Sequence, residues 1–300
     1  MNDLSFTFLG WTALLAGVWF LFDKSESVAS QDTKLRITRW LKGLDLDATA
    51  STWPATFITL FDGVFGKRHL SWLCFLRSCV ASSSVVGIAL LVWAAFNWNR
   101  IAIKYGTSGL VTFVALVVLT TCVSLVPDYV SLLKTRCIIQ QMRGIGSYPW
   151  IATLLALDLF TTGCLALGAY AGVLLGFEAL SKATGNQPAP VSLLPVLVGS
   201  IRTGNFGYII PLPPGYQGVT RIEDGVPFAI WFFAAFFTSM WAALYALSVT
   251  AVRIAHAFGV GISAFRDFFD IEKKPLTSLG FVATLLVSIG FWTVAIVHRH

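Results

Sequence analysis

Residues 151–177 read IATLLALDLFTTGCLALGAYAGVLLGF, 27 positions in which Asp158 is the single charged side chain. A helix needs about 20 mainly apolar residues to cross a hydrocarbon core of ~30 Å, and in lipid it satisfies every backbone polar group within one segment. The stretch therefore predicts a transmembrane helix. The rest of the chain has the same character. Its 300 residues are 56% hydrophobic and 12% charged, where a soluble domain carries about 25% charged residues. A soluble enzyme, a disordered chain and a disulfide-stapled secreted domain are excluded on these figures.

Five further stretches meet the length and polarity requirement: 4–22, 72–98, 109–126, 228–252 and 279–297. The predicted fold is an all-α integral membrane protein, one polytopic membrane domain over residues 1–300 with six transmembrane helices. Trp72, Trp98, Tyr148, Trp150 and Trp292 fall near predicted span ends, where amphipathic rings prefer to sit. The first span lacks the basic n-region and small-residue cleavage site of a signal peptide, so it reads as a retained span.

Lys and Arg sort unevenly between the connections. Fifteen of the 21 lie on one side: Lys24 to Arg77 before and just inside the second span, Lys134, Arg136 and Arg143 after the third, and Arg253 to Lys274 after the fifth. The other side holds six, Arg100, Lys104, Lys182, Arg202, Arg221 and Arg299. Cytoplasmic loops collect such cations, which places both termini outside and the chain in a plasma membrane, the inner membrane of a bacterium. The net charge of +6 belongs to these flanks, not to a nucleic-acid surface.

Between the first two spans, residues 32–46 read as a basic amphipathic helix. Ile37, Trp40, Leu41 and Leu44 form one stripe, while Lys34, Arg36, Arg39 and Lys42 lie off it, placed to meet anionic headgroups of the bilayer. A second interfacial helix follows, with Pro54 in its first turn and the stripe Phe57, Leu60, Phe61, Val64 and Phe65. Packing of both on the cytoplasmic face of the bundle is the leading expectation. The connection 181–227 is the largest external loop. Its Pro213–Pro214–Gly215 turn signal, flanked by β-prone runs, predicts a hairpin cap.

Motifs for chemistry are sparse. The five cysteines and four histidines show no metal-ligand spacing, and no nucleotide, haem or phosphate motif is present, so no cofactor is expected. Gly106–Thr107–Ser108–Gly109, with His256 and Gly259, resembles the Gly-x-Ser-Gly and His-x-x-Gly of rhomboid intramembrane proteases. The predicted topology sets Ser108 and His256 at opposite ends of their spans, ~30 Å apart, which prevents a nucleophile–base pair.

A charge inside the bilayer is costly and is by default a functional hypothesis. Asp158 lies eight residues past Trp150, about 12 Å deep, and Arg77 five residues past Trp72, about 8 Å deep. With Asp128 beside Pro127 they form a candidate intramembrane polar cluster, in which Arg77 is the expected partner of Asp158 and Thr121 and Ser124 extend the polar seam. Small residues recur every fourth position at Cys164, Gly168, Gly172 and Gly176, and at Cys79, Ser83 and Gly87. These seams predict close helix packing, first within the chain, otherwise in a homo-oligomer or with a membrane-complex partner. The leading functional expectation is a non-enzymatic protein that transports, conducts or senses. The alternatives are a membrane-embedded enzyme acting on lipid through Asp62, His69 and Asp128, and a structural subunit of a membrane complex.

Overall fold

The computed structural model describes residues 3–41, 52–68, 70–145, 147–183, 229–258 and 273–297. Among them the chain is helical throughout and contains no strand. The helices are α1 (Asp3–Val28), α2 (Gln31–Leu41), α3 (Thr52–Phe65), α4 (Trp72–Met142), α5 (Tyr148–Ala183), α6 (Ala229–Ala235), α7 (Phe237–Phe258) and α8 (Pro275–Val297). The predicted hairpin cap in 181–227 and the side chains of Ser108 and His256 lie outside the described residues, as does His69.

Four stretches within these helices are long and apolar enough to cross a membrane: Trp72–Leu91, Tyr148–Gly172, Phe237–Ile254 and Pro275–Thr293. In all but Phe237–Ile254, less than a third of the window is buried. Val80, Ile88, Leu91, Phe160, Leu285 and Ile289 all point outward. In water such faces would carry a large hydrophobic cost, whereas lipid solvates them as well as a protein core does.

The two predicted spans 72–98 and 109–126 belong to one helical run of 71 residues. That run is not a straight rod. The Ser82 hydroxyl bonds to Asp128, 46 residues later, and the Phe75 ring packs edge-on to Tyr129 at 5.2 Å. A straight helix would hold Ser82 and Asp128 about 69 Å apart at 1.5 Å per residue. The run therefore doubles back between residues 82 and 128. An outgoing and a returning arm result.

The chain divides into two compact units. The first comprises Met1–His69, Thr135–Ala156 and Ser239–His300, and the second comprises Leu70–Lys134 and Leu157–Thr238. In the first unit α1 packs along α8, most tightly at Gly280, where an added Cβ would lie 2.6 Å from Cβ of Phe22. Ser30 caps α2 by accepting from Thr33 N at 3.2 Å. The stripe of α3 is buried in protein: Phe57, Leu60, Phe61 and Phe65 are each at most 1% exposed. Phe57 meets Trp241 at 4.8 Å and Tyr245 at 5.3 Å between ring centroids. Aromatic contacts of this geometry add to the area effect, and they fix α3 on α7. Ile37 of α2 is buried as well, while Leu44 of its predicted stripe lies outside the described residues.

Charged groups in this unit secure helix ends. Glu26 Oε2 accepts from the backbone N–H of Leu276 at 2.8 Å and of Thr277 at 3.3 Å, while Oε1 lies 2.9 Å from Lys34 Nζ. A carboxylate of α1 thus occupies the positive end of α8, whose first N–H groups lack helical partners. At the other end of α3, Gly66 takes φ 102°, a left-handed conformation that ends a helix without Cβ strain. The Arg136 guanidinium, 2% exposed, donates to the carbonyls of Gly66 at 3.0 Å and Lys67 at 2.9 Å and pairs with Asp62.

Candidate functional site: a buried polar column in the second unit

On the returning arm of α4, Thr120, Ser124, Asp128 and Ser131 are all buried. Their spacing of four, four and three residues puts them on one helix face. An apolar span that buries a polar stripe must find partners for it, because an unpaired buried hydroxyl or carboxylate loses its hydration without return. Buried partners come from two elements. The outgoing arm supplies Ser82, which bonds to Asp128, and α5 supplies Thr162, 3.3 Å from Ser131.

Asp158 is 1% exposed and forms an ion pair with Lys134, Nζ to Oδ1 2.9 Å. The Lys134 ammonium also donates to the Asp158 carbonyl, to Thr161 Oγ1 at 3.0 Å and to Thr162 Oγ1. Its donors are thereby consumed by one turn of α5. Thr162 donates back to the Asp158 carbonyl at 2.8 Å, and its hydroxyl lies 3.3 Å from that of Ser131. The ammonium is therefore hydrogen-bonded as well as ion-paired, which offsets part of the cost of burying it.

Asp128 is placed differently. It is 7% exposed, and the Ser82 hydroxyl bonds to Oδ2. Oδ1 is buried and has no hydrogen-bond partner among the described residues. No Lys, Arg or His pairs with Asp128 among the described residues, so one carboxylate of the column is neutralised by a cation and the other is not.

The column also lies beside an interrupted helix. The predicted span 228–252 breaks at Phe236, which separates α6 from α7. Ser131 Oγ donates to the carbonyl of Ala235, at the break, over 3.4 Å, and Trp231 Nε1 donates to Thr121 Oγ1 at 3.0 Å. The Ala235 carbonyl at the break thus finds a partner in a column hydroxyl. Pro127, inside α4, removes another backbone donor one residue before Asp128.

Of the predicted cluster Arg77, Asp128 and Asp158, the two acids are both in the buried column, Asp158 forms an ion pair with Lys134, and Arg77 is an exposed residue. Lys134 reaches its partner because its four-carbon stem lies along apolar surface while the ammonium extends to the acid. Ser82, Ser131, Thr161 and Thr162 were not singled out in the sequence. Arg253 bonds to the Tyr148 hydroxyl in the first unit. Asp62, expected as an acid of a lipid-acting enzyme, is committed to Arg136.

Cys164, Gly168, Gly172 and Gly176 of the predicted small-residue seams are exposed, as is Ser83, and Cys79 is half-buried. A Cβ added at Gly87, Gly168, Gly172 or Gly176 would meet no described atom within 4 Å. Among the described residues, the seam on α5 borders an open groove of about 970 Å³ lined across from it by Val123, Val126, Pro127, Val130 and Lys134.

Compared with protein-family models, with curated proteins and with solved structures, the chain matches none.

Proposed function

We propose that the chain is a non-enzymatic membrane protein that moves an ion, alone or coupled to a solute, along the buried column of its second unit. The observation that carries this reading is Asp128: a carboxylate over nine-tenths buried, with one oxygen unpartnered, in a column of hydroxyls beside a broken helix. A charge kept in such a place at a cost of several kcal/mol, with no cation to offset it among the described residues, is suited to bind and release a positive ion. Discontinuous helices next to intramembrane acids are how secondary transporters build ion sites at the bilayer midplane.

In this reading α1 and the returning arm of α4 are the two further spans, which brings the total to six. Both termini face outward and the basic connections face the cytoplasm of a plasma membrane, a bacterial inner membrane. Arg39 and Lys42 meet anionic headgroups, joined by Lys34 and Arg36, although these last two also pair with Glu26 and Asp32. The test is reconstitution of the full chain into proteoliposomes with an imposed membrane potential and an internal pH- or ion-sensitive dye. Ion movement that Asp128→Asn abolishes, with the variant reconstituting in equal yield, is the expected result. Vesicles that stay tight to protons and alkali ions under every imposed gradient would refute the reading.

The open glycine seam on α5 favours one other reading, a subunit that receives a partner helix in a homo-oligomer or membrane complex. Cross-linking through Cys164 in native membranes separates it from a self-sufficient transporter.

A further inference from the structure

Two buried carboxylates share the column, and only one of them has its charge offset. Asp158 Oδ1 faces the Lys134 ammonium at 2.9 Å, and the ammonium also donates to Thr161 and Thr162, so the two charges offset each other. Asp128 has one oxygen on the Ser82 hydroxyl and the other on nothing among the described residues.

The surroundings of Asp128 decide which cation fits. A metal ion of the hard, oxygen-seeking kind takes about six oxygen ligands. Asp128 is approached by one hydroxyl, Ser82, and the neighbouring hydroxyls are committed elsewhere. Ser124 donates to the Thr121 carbonyl at 2.9 Å, and Ser131 is shared between Thr162 and Ala235. A proton requires a single free oxygen, and Oδ1 is one. The ionisable groups around it are few. The outgoing arm carries the half-buried Cys79 and, two residues earlier, the exposed Arg77. On its own helix Tyr129 packs on Phe75, and Lys134 is consumed by Asp158 of α5.

We propose that Asp128 is the proton-exchanging group of this protein, a carboxylate that takes a proton from hydronium at one membrane face and returns it to water at the other, while Lys134–Asp158 stays a fixed neutral pair. The proposal rests on the transport reading and names its coupling ion. No bond to carbon changes: the carboxylate oxygen gains and loses the O–H bond, and Thr120, Ser124, Ser131 and Thr162 are buried in the same column.

The test uses the full chain in lipid nanodiscs treated with dicyclohexylcarbodiimide. A protonated carboxyl in apolar surroundings adds its O–H across the reagent's C=N bond and rearranges to a stable acylurea. Peptide mass spectrometry is expected to find the adduct on Asp128, none on Asp158, and a loss of labelling as pH is raised. An unlabelled Asp128 at every pH, or equal labelling of Asp158, overturns the proposal. Infrared spectroscopy of Ser82→Ala gives a second check that needs no change to the acid. The carboxylic C=O band shifts if Ser82 is its hydrogen-bond partner, and an unshifted band counts against it. Labelled Asp128 in vesicles that pass no ion leaves the proton site standing and removes transport. Sodium-driven flux with no adduct keeps transport and removes the proton.

Discussion

The two compact units use charge in different ways. In the first, Arg136 and Glu26 each sit at a helix end: Arg136 closes the C-terminal carbonyls beyond α3 and pairs with Asp62, and Glu26 fills the N-terminus of α8 and pairs with Lys34. In the second, Asp128 and Asp158 sit on helix faces among hydroxyls, away from any terminus. A helix end offers unsatisfied N–H or C=O groups that a charge satisfies, so the arrangement of the first unit repays its desolvation locally. A helix face has spent its backbone groups on its own hydrogen bonds, and a charge there depends wholly on side chains from other elements. Asp158 finds them. Asp128 finds one hydroxyl. The contrast teaches where to look for function, since a charge that fastens nothing needs another reason to be present.

The largest effect is expected where the comparison is sharpest. Lys134→Met strands Asp158 at 1% exposure and should cost about 3–5 kcal/mol, read as a lowered unfolding temperature in detergent. The double change Lys134→Met with Asp158→Leu removes both charges and should recover most of that loss, because an apolar pair of similar volume replaces a desolvated ion pair at little cost. A double variant as unstable as the single would mean that the pair anchors α5 through Thr161 and Thr162 more than through its charges.

Arg136→Ala is the matching change in the first unit. Asp62 keeps about a fifth of its side-chain surface exposed, so water offsets part of the loss and the cost should be lower, about 3 kcal/mol. The loss should be local, with faster amide exchange in α3 and little change in the column. Equal loosening of both regions would erase the distinction between charges that fasten ends and charges that line faces.

Much of this was legible in the sequence because lipid imposes simple rules. The stretch 151–177 lies in α5, which is long and apolar enough to cross a membrane. The stripe Phe57, Leu60, Phe61 and Phe65 foretold the buried face of α3. The column was half visible. Ser124 and Asp128 were placed on it, but Thr121 was chosen where Thr120 is the buried residue and Thr121 instead accepts from Trp231. A one-residue error turns a helix position by 100°, and polarity alone cannot correct it. Lys134 was missed as the partner of Asp158 because it was counted among loop cations. A loop lysine next to a span can reach several residues back into it, and only the observed path of its stem distinguishes the two roles. The break at Phe236 carries no Gly or Pro signal. It follows from tertiary partners, Ser131 above all, that no local reading contains.

Gly280→Ala ranks next. Its Cβ would lie 2.6 Å from Phe22 Cβ and 3.0 Å from Cγ, backbone-proximal atoms of a buried ring that cannot swing away. The α1–α8 contact must then separate, at about 1–3 kcal/mol. Thermal unfolding of the purified variant measures it, and an unchanged midpoint would show that α1 shifts freely along α8.

Gly168→Ala is the smallest effect and the opposite in sign. The same chemical change in the second unit places a methyl where no described atom lies within 4 Å, on an exposed helix face. Only the backbone contribution remains. Alanine restricts the unfolded chain more than glycine and suits a helix better by up to about 1 kcal/mol, so the variant should be as stable as the parent or slightly more so. Gly172→Ala should behave alike, and even Gly168→Leu should fold, its side chain occupying the groove beside Val126 and Val130. Stability and association must be read separately. In dilute detergent the unfolding midpoint reports the single chain, while cross-linking of Cys164 in membranes reports any helix seated on the seam. A stable Gly168→Leu with lost cross-linking assigns the seam to a partner. A Gly168→Ala chain that fails to fold means instead that the seam is filled from within, and the contrast between Gly280 as packed and Gly168 as open is then lost.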